Sequence, residues 1–296
     1  MRRIVRPWAV CLAAAAGLLV GAAQVRGQSN PAGGAAAPGR AVTQGTQAPA
    51  SVTYVGNSGF LIRAGGKTIL IDALFDGFPG GYLVPAAVRE PLLAGQSPFD
   101  GIDLILATHD HADHFSAAAV RQALASNPRA AFVGPAATVA ALTELGDRAR
   151  ALEVAEDRRV SVEVGGIRVE GMRLSHGTPP PGQSDIVNLG YLVTVGGLKF
   201  FHTGDIDYQI VTPALLTSLG IPGEHVDVAF VPHFYLSGPG PIPFVTEGIR
   251  PRYVVPSHLQ YTDTPVNEAQ IRRNFPNAVL LRTEGESWAV PSLSGP

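Results

Sequence analysis

The sequence predicts an α/β sandwich in which two mixed β-sheets are flanked by helices. Three observations lead there. From Ser51 to about Trp288, short β-branched runs alternate with Ala-rich amphipathic stretches. Paired glycines at Gly65-Gly66, Gly165-Gly166 and Gly196-Gly197 punctuate those runs as turns. Strands come first, then strand–helix alternation, then a meander, then a mixed ending, an order that calls for two sheets with helices outside them.

The early strands are Val52–Val55, Phe60–Arg63 and Thr68–Ile71, with Asn57-Ser58-Gly59 turning the first pair. A Pro/Gly-rich stretch from Asp76 to Phe99 precedes Ile102–Ala107, a wholly apolar run that reads as a buried strand. A helix over Phe115–Ala125 stops before Asn127-Pro128, and Ala131–Val133 with a helix over Ala136–Leu145 repeats the alternation. Val160–Val164, Ile167–Leu174, Leu189–Val195 and Leu198–Phe201 form the meander. A helix over Pro213–Leu219, strands at Val226–Val231 and Tyr253–Val255, a helix over Asn267–Asn274 and final strands complete the pattern.

The chain's 296 residues suffice for one sizeable core. Apolar residues are 46% and charged ones 16%, a balance for a globular domain rather than a disordered one. The net charge is −2 and no Lys/Arg run follows the first few residues, so nucleic acid is not an expected partner.

Arg2, Arg3 and Arg6 precede an apolar stretch, Trp8 to Ala23, followed by small residues. This is the pattern of a secretory signal peptide, and about 16 residues falls short of the ~20 that span a bilayer. Residues 1–27 are therefore expected to direct export to the periplasm or outside, with no stable membrane insertion after cleavage behind Ala23 or Gly27. Cys11, the only cysteine, sits inside this stretch, so the mature chain has neither a disulfide nor a thiolate ligand. Residues 28–50 are rich in Ala, Gly, Pro and Gln, with almost no large apolar side chain, and read as a flexible linker to the domain over 51–296.

The chemistry concentrates in Thr108-His109-Asp110-His111-Ala112-Asp113-His114, directly after the buried strand. If the chain stays extended for two residues past that strand, His109 and His111 point to one side. Asp113 and His114 then start the following helix and face the same hollow. Imidazole and carboxylate are usual zinc ligands and also suit iron and manganese.

This segment resembles the metallo-β-lactamase superfamily, whose hallmark is His-x-His-x-Asp-His after a strand. The resemblance implies an αββα four-layer fold and a metal-dependent hydrolase. Further matching elements occur in the family's order: Ile69-Leu70-Ile71-Asp72, Leu174-Ser175-His176-Gly177, His202-Thr203-Gly204-Asp205 and Val254-Val255-Pro256-Ser257-His258. By that resemblance His109, His111 and His176 bind one divalent ion, Asp113, His114 and His258 a second, and Asp205 bridges them. Asp207 is a neighbour that could serve in place of Asp205. Asp72 supports the ligands from behind. His202 is either a similar support or simply packed, and His233 and Tyr235 lie where the family places substrate residues.

The implied cofactors are two divalent ions, zinc foremost with manganese or iron as alternatives. The implied reaction uses a metal-bridging hydroxide on an ester, lactone, phosphodiester or amide bond of a small molecule, with Asp113 and Asp205 orienting it and collecting its proton. Known β-lactamases of this fold lack the bridging carboxylate, which weighs against antibiotic hydrolysis. Gly56-Asn57-Ser58-Gly59-Phe60-Leu61-Ile62 with Ile69-Leu70-Ile71-Asp72 looks more like the lactonase-like branch, typified by the ascorbate-phosphate lactonases. The phospholipase D-type branch, which cleaves N-acyl phosphatidylethanolamines, is similar at the same place. A metal-dependent oxidoreductase on the same fold and a non-catalytic exported metal-binding protein are the rival classes. Residues 73–98, with Phe75, Phe78, Tyr82, Leu83, Gly77, Gly80 and Gly81, read either as a lid over an apolar substrate or as a loop whose aromatics pack on the fold.

Overall fold

The structure is a computed structural model that describes residues 48–77, 82–178, 185–260 and 265–292. The expected signal peptide, nearly all of the expected linker, and Phe78, Gly80 and Gly81 lie outside the described residues.

The first sheet has seven strands. They are β1 (Ser51–Gly56), β2 (Gly59–Ala64), β3 (Lys67–Ile71), β4 (Leu104–Leu106), β5 (Ala131–Gly134), β6 (Ala149–Ala151) and β13 (Ser287–Ala289), in the order β13-β1-β2-β3-β4-β5-β6. The second sheet has six: β7 (Arg159–Val164), β8 (Ile167–Arg173), β9 (Leu189–Val195), β10 (Leu198–His202), β11 (Val228–Pro232) and β12 (Tyr253–Ser257), in the order β12-β11-β10-β9-β8-β7. The helices are α1 (Ala86–Ala94), α2 (Ala117–Ser126), α3 (Ala136–Ala140), α4 (Pro213–Ser218), α5 (His233–Ser237) and α6 (Glu268–Asn274).

Period-two alternation assigns each strand residue to a layer. In β2, Phe60 and Ile62 enter the core between the sheets while Leu61 faces the helices with α1 and α2. In β11, Val228 and Phe230 face that same central core while Ala229 and Val231 face outward, onto the layer that holds Leu216 and Ile271. Three apolar layers between four secondary-structure layers follow, which is the expected α/β sandwich.

Strand direction places the site. β3, β4 and β5 run parallel, and so do β10, β11 and β12. The carboxyl ends of parallel strands leave a crevice in which α/β sheets hold ligands. Both sheets bring theirs to one rim. Tyr191 on β9 ties them there: its hydroxyl donates to the Ala107 carbonyl at 2.9 Å, just before the histidine-rich loop. Leu189 N–H donates to Thr108 O at 2.9 Å beside it. Tyr191 is fully buried, so Tyr191→Phe leaves the Ala107 carbonyl without its side-chain donor in a dry interior. We expect a loss of about 1–2 kcal/mol, read as a lower urea midpoint at unchanged slope.

Several elements differ from expectation, among them β6 and α5, which no expected strand or helix covered. The stretch 76–99 contains α1, hidden in sequence by Pro85, Pro91 within the helix and Gly95 at its end. The helix expected over Ala136–Leu145 stops at Ala140 and gives way to a 3-10 segment, Thr143–Arg148, broken at Gly146 (φ 54°, ψ −134°). Phe244–Ile249 winds as a π-helix that no periodicity announced. In the 73–98 segment, Phe75 is buried in the layer under α1 and α2, and Tyr82 donates to Glu284 Oε1 at 2.6 Å, whereas Leu83 is 58% exposed. The aromatics Phe75 and Tyr82 thus pack on the fold.

Candidate metal centre

Each expected donor follows a strand; Asp113 and His114, expected to start the next helix, lie instead in a turn ahead of it, because the helix is capped by Ser116 and begins at Ala117. Asp72 follows β3, the segment His109 to His114 follows β4, His176 follows β8, Asp205 follows β10 and His258 follows β12. The structure gathers seven of them into two donor sets: His109, His111 and His176 in one, and Asp113, His114, Asp205 and His258 in the other. Within each set the ligand atoms lie within 4.8 Å of one another. Asp205 also reaches the first set. Its Oδ2 is 2.9 Å from His258 Nε2, 3.3 Å from His114 Nε2 and 3.7 Å from His176 Nε2. Asp207 belongs to neither set; its carboxylate accepts from the Gln209 N–H at 2.8 Å.

The first set is three imidazoles in mutual contact, with ring centroids 4.7 Å apart for His109–His111, 4.7 Å for His111–His176 and 5.0 Å for His109–His176. Burial, and then the charge of His114, hold His109 neutral; burial and His176 do the same for His111. Neutral imidazole is the ligating form. The second set behaves oppositely. Burial pulls His114 down, but the Asp205 and Asp72 carboxylates outweigh it and raise it well above the ordinary value. His258 is likewise pushed up to about 9 against its burial, by Asp205 and Asp113. Asp113 and Asp205 are themselves opposed by burial, yet their histidine partners hold both well below the usual carboxylate range.

The donor atoms fit a cation. Nε2 of His109, His114 and His176 and Oδ1 of Asp205 are buried with no hydrogen-bond partner in the protein, an arrangement that costs free energy unless something electron-poor meets them. Support from behind is in place. His114 Nδ1 lies 2.8 Å from Asp72 Oδ2, which fixes the ring with Nε2 toward the site. Asp72 also accepts from Thr108 N–H at 2.8 Å and from Thr108 Oγ1 at 2.7 Å, and that hydroxyl sits 3.0 Å from His109 Nδ1. One carboxylate therefore orients two histidines. Asp72→Asn keeps the shape and removes the charge, and we expect metal affinity to fall about 10–100-fold. Competition against a chromophoric chelator measures this, and an unchanged affinity would remove the orienting role.

His202, expected either as support or as packing, is fully buried and fully bonded. Its Nδ1 accepts from Gly204 N–H at 3.0 Å, so its Nε2 donates to Ser58 O at 3.0 Å. It shapes the turn that presents Asp205. His233 is wholly enclosed at the start of α5, with its ring against Phe234, and burial lowers its pKa to about 4. Tyr235 is half-buried, and its hydroxyl donates to the Ile206 carbonyl.

Sequence reasoning missed two asparagines. Asn188, completely buried, donates from Nδ2 to Leu174 O and Thr203 O at 3.0 Å each, and its Oδ1 accepts from Asp205 N–H at 3.2 Å. It clamps the loop of His176 to the loop of Asp205. A side chain at Gly204, where φ is +60°, would strike it: an ideal Cβ there stands 2.1 Å from Asn188 Oδ1. Asn57 donates from Nδ2 to Asp113 Oδ2 at 3.1 Å, while its Oδ1 accepts from Gln260 N–H at 3.4 Å, beside His258. Asn57 reads in sequence as a turn residue, and Asn188 carries no sequence signal.

With this geometry in view, comparison with known proteins places the chain. The pattern of the β-lactamase superfamily domain matches residues 51–258, and the chain belongs to that family. Among curated relatives, a UPF0173 metal-dependent hydrolase of Nitratidesulfovibrio vulgaris is 28% identical over 257 residues, covering 81% of this chain and 95% of that protein. Among solved structures, Igni18, a metallo hydrolase of Ignicoccus hospitalis, aligns with a TM-score of 0.59 at 19% identity over 81% of this chain and 98% of that one. CmlA, a diiron β-hydroxylase of Streptomyces venezuelae, aligns with a TM-score of 0.56 at 15% identity over 81% of this chain and 54% of that one. At these identities the solved structures establish the shared fold, and the curated relative carries the enzyme class expected from sequence.

Proposed function

We propose that the chain is an exported metal-dependent hydrolase holding two divalent ions, zinc foremost. Its substrate is a small molecule with an ester, lactone, phosphodiester or amide bond. The observation that carries the reading is the meeting of two donor sets at Asp205, with buried imidazole nitrogens aimed inward. His109, His111 and His176 would hold one ion, Asp113, His114 and His258 the other, and Asp205 both. Divalent ions in such a site supply an acidified water and polarise the oxygen of the bond to be cleaved.

The chain's own residues do the rest. Asp113 and Asp205 stay ionised at neutral pH, so they act as acceptors that orient the attacking water. Asp205 Oδ1, buried and unpartnered, is the atom positioned to take the water's proton. Asn57 holds the Asp113 carboxylate, and Asn188 fixes the backbone that carries Asp205. The bridging carboxylate favours the lactonase-like branch over β-lactam hydrolysis. Among the described residues no helix is long and apolar enough to cross a membrane; export rests on residues 1–27.

Elemental analysis of purified mature protein tests the reading, followed by a screen of lactones, phosphodiesters, amides and β-lactams. About two zinc or manganese per chain together with turnover supports it. Iron with oxygen uptake would move the case to oxidoreductase chemistry, which the His/carboxylate donor set also suits. Bound metal without turnover on any class would leave a binding protein. N-terminal sequencing of exported material checks the cleavage.

A further inference from the structure

Beside the donor cluster stands a row of aromatic rings that the chemistry above does not use. Phe234 and Tyr235 lie in α5 directly after β11, and Tyr208 lies in the turn after Asp205. The Phe234 ring centroid is 5.7 Å from that of His258, at an interplanar angle of 83°. Tyr235 follows at 4.6 Å and 68°, then Tyr208 at 5.3 Å and 69°. Each ring meets the next edge to face, the arrangement that the ring quadrupole favours. The row ends against backbone, where an ideal Cβ on Gly240 would stand 3.5 Å from the Tyr208 ring.

All three rings are only partly covered. In the same short helix, Leu236 and His233 are both buried. The row is also held still. Tyr235 gives its hydroxyl proton to Ile206 O, so it presents a ring rather than a donor, and Asn274 Nδ2 pins the Leu236 carbonyl at 2.9 Å. The Asp205 and Asp207 carboxylates near the Tyr235 hydroxyl make the strip unfavourable to an anionic group. Rigid, half-open rings that start at a ligating histidine suit a flat apolar group better than a flexible chain, because faces and edges reward planarity as well as area.

We propose that Phe234, Tyr235 and Tyr208 form a binding strip for a neutral, flat aromatic group carried by the substrate next to the bond offered to the metal centre. The placement of that bond rests on the hydrolase reading; the preference for a flat ring does not. Two matched ligand pairs separate the two ideas. Benzoate and cyclohexanecarboxylate are titrated calorimetrically into the full chain loaded with zinc, after its zinc content is measured. Benzyl alcohol and cyclohexylmethanol are titrated into the metal-free chain, where no carboxylate anchor contributes.

Two ring contacts should favour the aromatic member of each pair by about tenfold. Phe234→Leu should bring the preference to within about twofold, with zinc content kept and cyclohexanecarboxylate affinity changed by less than about twofold. Tyr208→Leu, farther from the metal donors, should reduce it part of the way. Equal affinity within both pairs, no binding of either aromatic ligand, or an unchanged preference in Phe234→Leu overturns the strip. Loss of preference in the carboxylate pair alone, with the alcohols still discriminated, counts against the metal reading and leaves the strip standing.

Discussion

Metal uptake by this protein is expected to release roughly one to two protons per chain at pH 7 and to tighten steeply as pH rises. The cause is the contrast between the two donor sets. His109 and His111 are held neutral and ready, whereas His114 and His258 carry protons that their carboxylate partners stabilise. A cation must displace those protons before it can bind. Both histidines are raised above the ordinary value of about 6.5, so their protonated pairs stabilise the metal-free fold fully below that pH. That contribution fades as pH climbs through about 9, the value of His258. Metal affinity moves the other way over the same window, by on the order of 10–100-fold per pH unit. Calorimetry in buffers of different ionisation enthalpy counts the protons directly. A flat pH response with no proton release would mean that neither histidine exchanges its proton for the ion.

The second large effect is Asp205→Ala. Among the described residues, Asp205 is the carboxylate shared between the donor sets, with distances of 2.9, 3.3 and 3.7 Å to three histidine nitrogens. Its removal takes a donor from where the two sets meet and the main stabilising charge from His114 and His258. We expect metal affinity to drop more than about hundredfold, beyond the effect of losing a supporting residue. The metal-free protein should also lose about 3 kcal/mol at neutral pH, as for a buried charge stripped of its partner. Above about pH 9 that stability difference should shrink, because His258 is neutral there in the parent as well. Denaturant titrations of parent and variant at two pH values check both statements. A variant that keeps its full complement of metal would remove Asp205 from the bridging position.

How much of this was readable beforehand depends on how far apart the cooperating residues lie. The segment His109 to His114 is local: one strand end delivers four donors within six residues, and the spacing shows it. His176, Asp205 and His258 are single residues after separate strands, legible only through the order of motifs that the family resemblance implies. Asn188 and Asn57 carry no such signal. A buried asparagine that ties two loops looks, in sequence, like any turn residue. The central strands, such as β2, β4 and β11, were legible because both faces of each are apolar, so short β-branched runs stand out. α1 was not, because Pro91 inside it mimics a breaker. The helix after β5 stops at Ala140, and the chain passes into a 3-10 segment over Thr143–Arg148 that the alanine-rich composition did not distinguish from more helix.

The seam between the sheets has one further consequence. His109, His111, Asp113 and His114 come from one sheet and His176, Asp205 and His258 from the other, and each donor set draws on both. A partly folded chain whose two leaves have not closed therefore owns only fragments of two claws. Capturing an ion then becomes the last event of maturation, and a loaded centre certifies that the leaves have met.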